Sequence, residues 1–207
     1  MEIKHLIRKL NGYHPVSEEM QKALHRDATT LSLPKHHEIL KAPAVQTHIL
    51  FVAKGLVEMY TFKQGRKYVT GFFKAGDIVV DLKSFLFQVS SKCTIKLLEN
   101  SQIVCVSYDQ AFQYQRRFLE ATFIFSGIVV EKYEQMQQLQ DEMRTLSATK
   151  RLSKLLSVHP HIQQRATQES VASYLGIAAQ SLSRLKRAQK RKRTKVKRKS
   201  EPNPRSS

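Results

Sequence analysis

Gln180, Ser181, Ser183, Arg184 and Arg187 sit close together in the stretch VASYLGIAAQSLSRLKR. Arginine carries a planar fork that can bind O6 and N7 of one guanine together, and glutamine can pair with adenine. The serine hydroxyls can reach phosphate or base edges. At intervals of four and three, Gln180, Arg184 and Arg187 fall on one face of a helix. Residues of these types on such a face can read a DNA groove.

A reading face needs a scaffold. Upstream, Thr167 can cap a helix that opens at Gln168 and runs to Tyr174, with Glu169 near its positive end. Val171 and Leu175 share one side of it, and the small Ala172 lets a second helix cross closely. Gly176 can adopt the positive φ that a tight turn requires, and Ile177 fills the corner. The second helix then runs from about Ala179 past Arg187, with Leu182 and Leu185 turned inward. This is the helix-turn-helix pattern, whose second helix enters the major groove. Thr167 and Gln168, at the mouth of the first helix, join the DNA-contacting set. A plain helical hairpin also shows a glycine and leucines; the polar face and the basic run beside it favour DNA.

The charge is concentrated there. The 207-residue chain has a net charge of +18. Twelve Lys/Arg and one Glu fall between Arg184 and Ser207, a net +11, which leaves +7 for the first 183 residues. Ten of the fourteen residues 186–199 are Lys or Arg, with no apolar period. Such a run is expected to be disordered. It is either a solvated tail or, beside a recognition helix, a set of phosphate contacts, and the second is favoured. It has no aromatic or leucine to insert, so a membrane role is not expected.

The rest of the chain divides by period. Residues 1–30 look helical, with Leu6, Leu10, Met20 and Leu24 at helical intervals. From Leu31 to Ser107 short β-branched and aromatic runs alternate with turns: HILFVAKG, GLVEMYTF, KYVTGFF, DIVVDL, CTIKLL and QIVCVS. They predict a sandwich or barrel. TFKQGRKY reads as a hairpin with Gly65 left-handed. Helical period returns from about Tyr108, with a long helix between Glu120 and Leu146. Val129, Tyr133, Met136, Gln140 and Met143 follow a 4-3-4-3 spacing, the seam of a coiled-coil contact. That stripe either pairs two chains or packs on the strand domain; a homodimer is favoured. SATKRLSKLLSVHPHI predicts a further helix ended by Pro160.

Strands, a long helix and a helix-turn-helix, in that order, resemble the Crp–Fnr (catabolite activator and fumarate–nitrate regulator) family of bacterial transcription factors. The matching segments are ILFVAKGLVEMY, FFKAGDIVVDLKSF, LLENSQIVCVS, ATKRLSKLL and VASYLGIAAQSLSR, spread over roughly residues 10–187. The short ending beyond SRLKR looks most like the Bacteroidetes-type branch. The fold class this implies is α+β: a cyclic-nucleotide-binding-type β-roll with flanking helices over 1–118, a dimerisation helix over 119–146, a helix-turn-helix DNA-binding domain over 147–188 and a disordered basic tail over 189–207. The implied function is sequence-specific transcription regulation by a cytoplasmic homodimer on double-stranded DNA, not enzymatic catalysis. Activation would need a contact with RNA polymerase, for which the sequence offers no identifiable surface.

Three departures from the family matter. Its cyclic-nucleotide sensors carry Gly-Glu, whose Glu takes the ribose hydroxyl, and about ten residues later Arg-Ser or Arg-Thr, whose Arg takes the cyclic phosphate. Here the corresponding pairs are Val80-Asp81 and Ser91-Lys92. Asp81, Ser91 and Lys92 are thus the effector-pocket candidates. Without the arginine fork no cyclic nucleotide, and no other cofactor, is expected; the effector stays unknown. Second, most members follow the recognition helix with a two-stranded wing, where this chain has its basic run. Third, the family's Arg-Glu-x-x-x-Arg recognition set is Ala179, Gln180 and Arg184, of which Arg184 alone matches.

Other classes fit less well. Cys93 and Cys105 have no metal spacing and cannot hold an iron–sulfur cluster; they read as small buried hydrophobes in a reducing compartment. The segment MEIKHLIRKL has no apolar core for a secretory signal, and the longest apolar run, the ten residues ATFIFSGIVV, is too short for a bilayer. A metal-binding cupin would need His36 and His37 on one side of a strand, where neighbours point to opposite faces, so no metal is expected. A sensor module whose helical end binds protein instead of DNA is the main alternative.

Overall fold

A computed structural model describes residues 2–188. The tail expected over 189–207 lies outside the described residues. The chain divides into two units, one up to Arg144 and one from Thr145 onward.

The first unit opens with two helices, α1 (Glu2–Asn11) and α2 (Glu18–Asp27). Ser17 caps α2 by accepting from the Met20 N–H. Eight strands follow: β1 (Thr29–Leu33), β2 (Glu38–Leu40), β3 (His48–Lys54), β4 (Leu56–Lys63), β5 (Arg66–Lys74), β6 (Ile78–Val79), β7 (Cys93–Leu97) and β8 (Ser101–Ser107). They form two antiparallel four-stranded sheets, in the orders β1-β8-β3-β6 and β2-β7-β4-β5.

The first sheet is covered on both faces, which explains why β3 reads as a continuous apolar run without alternation. Leu50, Val52, Ile103 and Cys105 belong to one core with Val57, Ile95 and Leu97 of the second sheet. Phe51, Ile78, Val104 and Val106 belong to another core with the helices α1, α2, α4 (Tyr108–Arg117) and α5 (Leu119–Thr145). Alternate residues of β3 and β8 therefore serve different layers. In the β4–β5 hairpin Gly65 has φ +72° and Gln64 φ +50°. Two consecutive left-handed residues make the turn whose twist suits a hairpin.

Two expectations needed correction. Strand character in DIVVDL ends at Val79, because Asp81 accepts from the Ser84 N–H and starts a short helix, α3 (Leu82–Phe87). Residues 29 and 30 are not helical but open β1, pairing with Cys105 and Val104.

The long helix α5 matches its predicted bounds to within a residue. Ala121, Ile124 and Ile128 face the core. Tyr13 Oη donates to Glu131 Oε2 at 2.6 Å, Lys9 Nζ reaches the same oxygen at 2.5 Å, and Ser17 Oγ donates to Glu120 Oε1 at 2.5 Å. A Cβ on Gly127 would lie 2.8 Å from Tyr13 Cδ1, so only glycine lets Tyr13 approach α5 this closely.

The second unit holds α6 (Ala148–Val158), α7 (Ile162–Arg165), α8 (Gln168–Tyr174) and α9, a helix over residues 179–188. It buries Leu152, Leu155, Ile162, Val171, Ala172, Leu175 and Leu182. Pro160 follows the end of α6 as expected, and the short α7 after it gave no clear sequence signal. Among the described residues no helix is long and apolar enough to cross a membrane.

Candidate nucleic-acid interface and effector site

The hairpin of α8 and α9 is built by local chemistry. Thr167 Oγ1 accepts from the Ser170 N–H at 3.1 Å, closing the first turn of α8. At its other end Ile177 N–H donates to Ala172 O and Gly176 N–H to Ser173 O, both at 3.0 Å. This crossed pair is the Schellman ending, which needs a left-handed residue at Gly176, whose φ is +64°. Val171, Ala172, Leu175 and Leu182 are each at most 2% exposed, so one side of both helices is core. Leu185 is half-buried.

Gln180, Ser181, Arg184 and Arg187 of α9 are all exposed, as are Thr167 and Gln168 of the first helix. Gln168 has a second task. Its side-chain amide donates to Ala179 O at 2.9 Å and to Ser183 Oγ, joining the start of α8 to the first turn of α9. Ser183 is half-buried and directed to Gln168. The structure thus pairs two of the predicted contact residues with each other and leaves Gln180, Ser181, Arg184 and Arg187 as the open face. Sequence reasoning missed Arg151. Its guanidinium donates to Leu175 O at 3.1 and 2.9 Å and also to Leu146 O, anchoring α6 to the end of α8. The cue was one Arg among lysines beside an apolar stripe, which sequence alone does not separate from a solvated one.

Of the residues expected to line an effector pocket, Asp81 and Ser91 meet. Ser91, 2% exposed, donates to Asp81 Oδ2 at 2.7 Å and accepts from the Cys93 N–H at 2.9 Å. The Asp81 N–H donates to Gln46 Oε1 at 2.7 Å. Asp81 is therefore bound to α3, the segment just before β7 and the loop before β3 at once. Lys92 is exposed and is not part of this cluster. Of the cysteines, Cys105 is buried, which pushes its thiol up to about 11; Cys93 is half-buried and its thiol is also raised, first by desolvation and then by the Asp81 charge.

On α5, Tyr133, Met136 and Met143 are exposed, as is Gln140, but Val129 is half-buried and its neighbour Val130 takes the open place. Phe123 and Leu119 extend this exposed apolar stripe upstream at intervals of seven and four. The same 4-3 spacing, carried back from Tyr133 through Val130, could have found them.

Two facing four-stranded sheets are followed in the chain by a long helix and a helical hairpin. Residues 30–117 match the cyclic nucleotide-binding domain. Among solved structures the chain is similar to a transcriptional regulator of the crp/fnr family from Eubacterium rectale, at 15% identity over 87% of this chain and 88% of that one, with a TM-score of 0.70. It is similar to the c-di-GMP responsive global regulator CLP of Xanthomonas campestris at 14% identity, covering 83% and 90%, TM-score 0.65. The Thermus thermophilus catabolite activator protein gives 15% identity, 89% and 87%, and a TM-score of 0.55. No curated protein matches the chain in sequence. The resemblance read from the sequence is borne out in its fold: residues 30–117 match the cyclic nucleotide-binding domain, and the chain has the fold of solved Crp–Fnr regulators, while nothing in the matches points to the Bacteroidetes-type branch.

Proposed function

We propose that the chain is a homodimeric transcription regulator that reads a DNA sequence through α9. The observation that carries this reading is the open face of Gln180, Ser181, Arg184 and Arg187 on a helix fixed from behind by Leu182 and from its first turn by Gln168. Phosphate contacts give affinity and base contacts give discrimination. In this reading residues 147–188 are the DNA-binding domain, residues 119–146 pair two chains, and the basic run 186–199 supplies the phosphate contacts that a wing gives other members. Two copies would place two recognition helices on half-sites about 10 bp apart.

The β-roll in this proposal does not take a cyclic nucleotide. Its ribose-hydroxyl acceptor, Asp81, is spent on Ser84 N–H and the Ser91 hydroxyl. Ser91 stands where a phosphate-binding arginine would, and no guanidinium replaces it.

Duplex binding by fluorescence anisotropy tests the reading, with a site selected from a random library and a scrambled control. The full chain is compared with a truncation ending at Ala188. A truncation that keeps its preference while losing affinity and salt dependence supports it. If selection yields no site and binding vanishes with the tail, the protein is a charge-driven binder and α8–α9 only a helical hairpin.

A further inference from the structure

The two sheets of the β-roll part at one side. Among the described residues the backbone ladder of β1 runs to β8 alone and that of β2 to β7 alone, so these consecutive strands sit on different sheets with no ladder between them. A cavity of about 410 Å³ opens there. This lies within the range of small-molecule sites, roughly 300–1,000 Å³. Its wall is formed by Leu31, Leu33, Ile39, Leu40 and Leu50, and Cys105 also lines it. Leu40, Leu50 and Cys105 are buried, but Leu31 is 38% exposed. In a closed sandwich an inward strand residue is covered by the opposite sheet; here Leu31 has no such cover.

The polar lining offers hydrogen-bond donors without a carboxylate: Thr29, His37, Gln46, Thr47 and His48 line the cavity, and among the described residues no aspartate or glutamate does. His37 and His48 are exposed, so their imidazoles are available to solvent and ligand alike, and Thr47 Oγ1 lies 2.9 Å from His48 Nδ1. Imidazole and hydroxyl donors beside an apolar chamber suit a molecule with an apolar body and one anionic oxygen head. None of Asp81, Ser91 and Lys92 lines this cavity, so it is separate from the expected effector pocket.

We propose that this cavity binds a small amphipathic carboxylic acid, with its chain between Leu31, Leu33, Ile39 and Leu50 and its carboxylate at His37, Thr47 and His48. One residue links such a ligand to α3. Gln46 lines the cavity, is 3% exposed, and is tied to α3 twice: its N–H donates to Ser84 Oγ at 2.9 Å and its Oε1 accepts from Asp81 N–H. A ligand that shifts residues 45–48 therefore shifts the start of α3. This inference does not depend on DNA reading by α9.

The test uses the full chain with Cys93→Ser, so that Cys105 is the remaining thiol. Decanoate, kept below its micellar concentration, is titrated by calorimetry, with decanol as the uncharged control. The labelling rate of Cys105 is followed in parallel. The expected result is one decanoate per chain, Cys105 labelling slowed about tenfold at saturation, and decanol bound about tenfold more weakly. The double variant His37→Gln, His48→Gln, at exposed positions that should not disturb folding, is expected to weaken decanoate about tenfold and leave decanol unchanged. Decanoate binding that leaves Cys105 labelling unaltered is adsorption to the basic surface and overturns the proposal. Absence of saturable binding, or equal affinity for decanol and decanoate, overturns it too.

Discussion

The Ser91 hydroxyl donates to the Asp81 carboxylate at 2.7 Å, ten residues away in sequence, inside the cluster that holds α3 against the sheets. In the proposed reading this internal hydrogen bond occupies the carboxylate that a nucleotide ribose would otherwise need. Titration with cyclic AMP should give no saturable heat, and low-micromolar binding would contradict the proposed specificity. Ser91→Ala should leave the half-buried Asp81 carboxylate short of one donor and cost about 1–3 kcal/mol of stability, measured by urea unfolding. An unchanged midpoint would mean that water replaces the hydroxyl without loss.

Arg184 is exposed on the open face of α9, and α9 is held by residues other than Arg184 itself. Arg184→Ala should leave the fold intact and cost about 1–3 kcal/mol at the preferred duplex, relaxing one base position. Anisotropy on single-base variants of the site checks this. An equal loss on scrambled DNA would reduce Arg184 to a phosphate contact.

Much of this arrangement was legible in the sequence, for identifiable reasons. The hairpin of α8 and α9 is specified locally: a Thr cap, a glycine at the turn, and leucines at helical spacing each act within a few residues. The long helix declared itself by length. What did not show were contacts between distant segments. The Gln168 lock spans eleven residues to Ala179, and Arg151 reaches 24 residues to Leu175. Neither polar side chain differs in type from a solvated one. The start of β1 was hidden for another reason: the strand is only five residues long, and its polar–apolar alternation, Thr30-Leu31-Ser32-Leu33, begins one residue in, so Thr29 and Thr30 carry no apolar signal of their own. The one-residue shift from Val129 to Val130 in the exposed stripe depends on how α5 is rotated by Ile124 and Ile128, which face the core.

Gly176, with φ +64°, ends α8 with both crossed hydrogen bonds of its motif. Gly176→Ala places a Cβ on a left-handed residue, a conformation that costs about 1–2 kcal/mol for an L side chain. The loss should appear in thermal unfolding of the second unit and in weaker duplex binding. Gly176→Asn, which tolerates this region better, should recover part of both.

Glu131 accepts from Tyr13 and Lys9. Desolvation acts to raise its carboxyl, but these hydrogen bonds outweigh it and hold the group below its ordinary value of 4.5. A depressed folded value means stability that is present above about 4.5 and lost as pH falls through the folded value. Tyr13 shows the opposite sign: burial first, then Glu131, raises its phenol above 10.0, so its contribution is present below that pH and lost as pH rises through the raised value. Tyr13→Phe should therefore cost about 1–3 kcal/mol near neutral pH and progressively less as pH falls through the depressed folded value of Glu131. Urea unfolding at several pH values gives the profile, and a pH-independent loss would mean that packing against Gly127, not the carboxylate, carries the effect.

The exposed stripe of α5 bears on how two reading helices come to one duplex. Tyr133 and Met136 are 54% and 52% exposed, and Phe123 and Val130 are each 53% exposed. Bulky apolar groups in a row on a surface helix are unfavourable in water unless a partner covers them. If the partner is a second copy, the rows meet across a parallel seam, with Gln140 as a polar residue that fixes register. Tyr133→Glu combined with Met136→Glu would set like charges against each other across that seam. Sedimentation should then shift from dimer to monomer, while far-ultraviolet circular dichroism stays the same because both positions face outward. Half-site binding should survive weakly, and the preference for two half-sites at about 10 bp spacing should disappear. A variant that remains dimeric would assign the stripe to another cover and require a different interface to pair the two copies of α9.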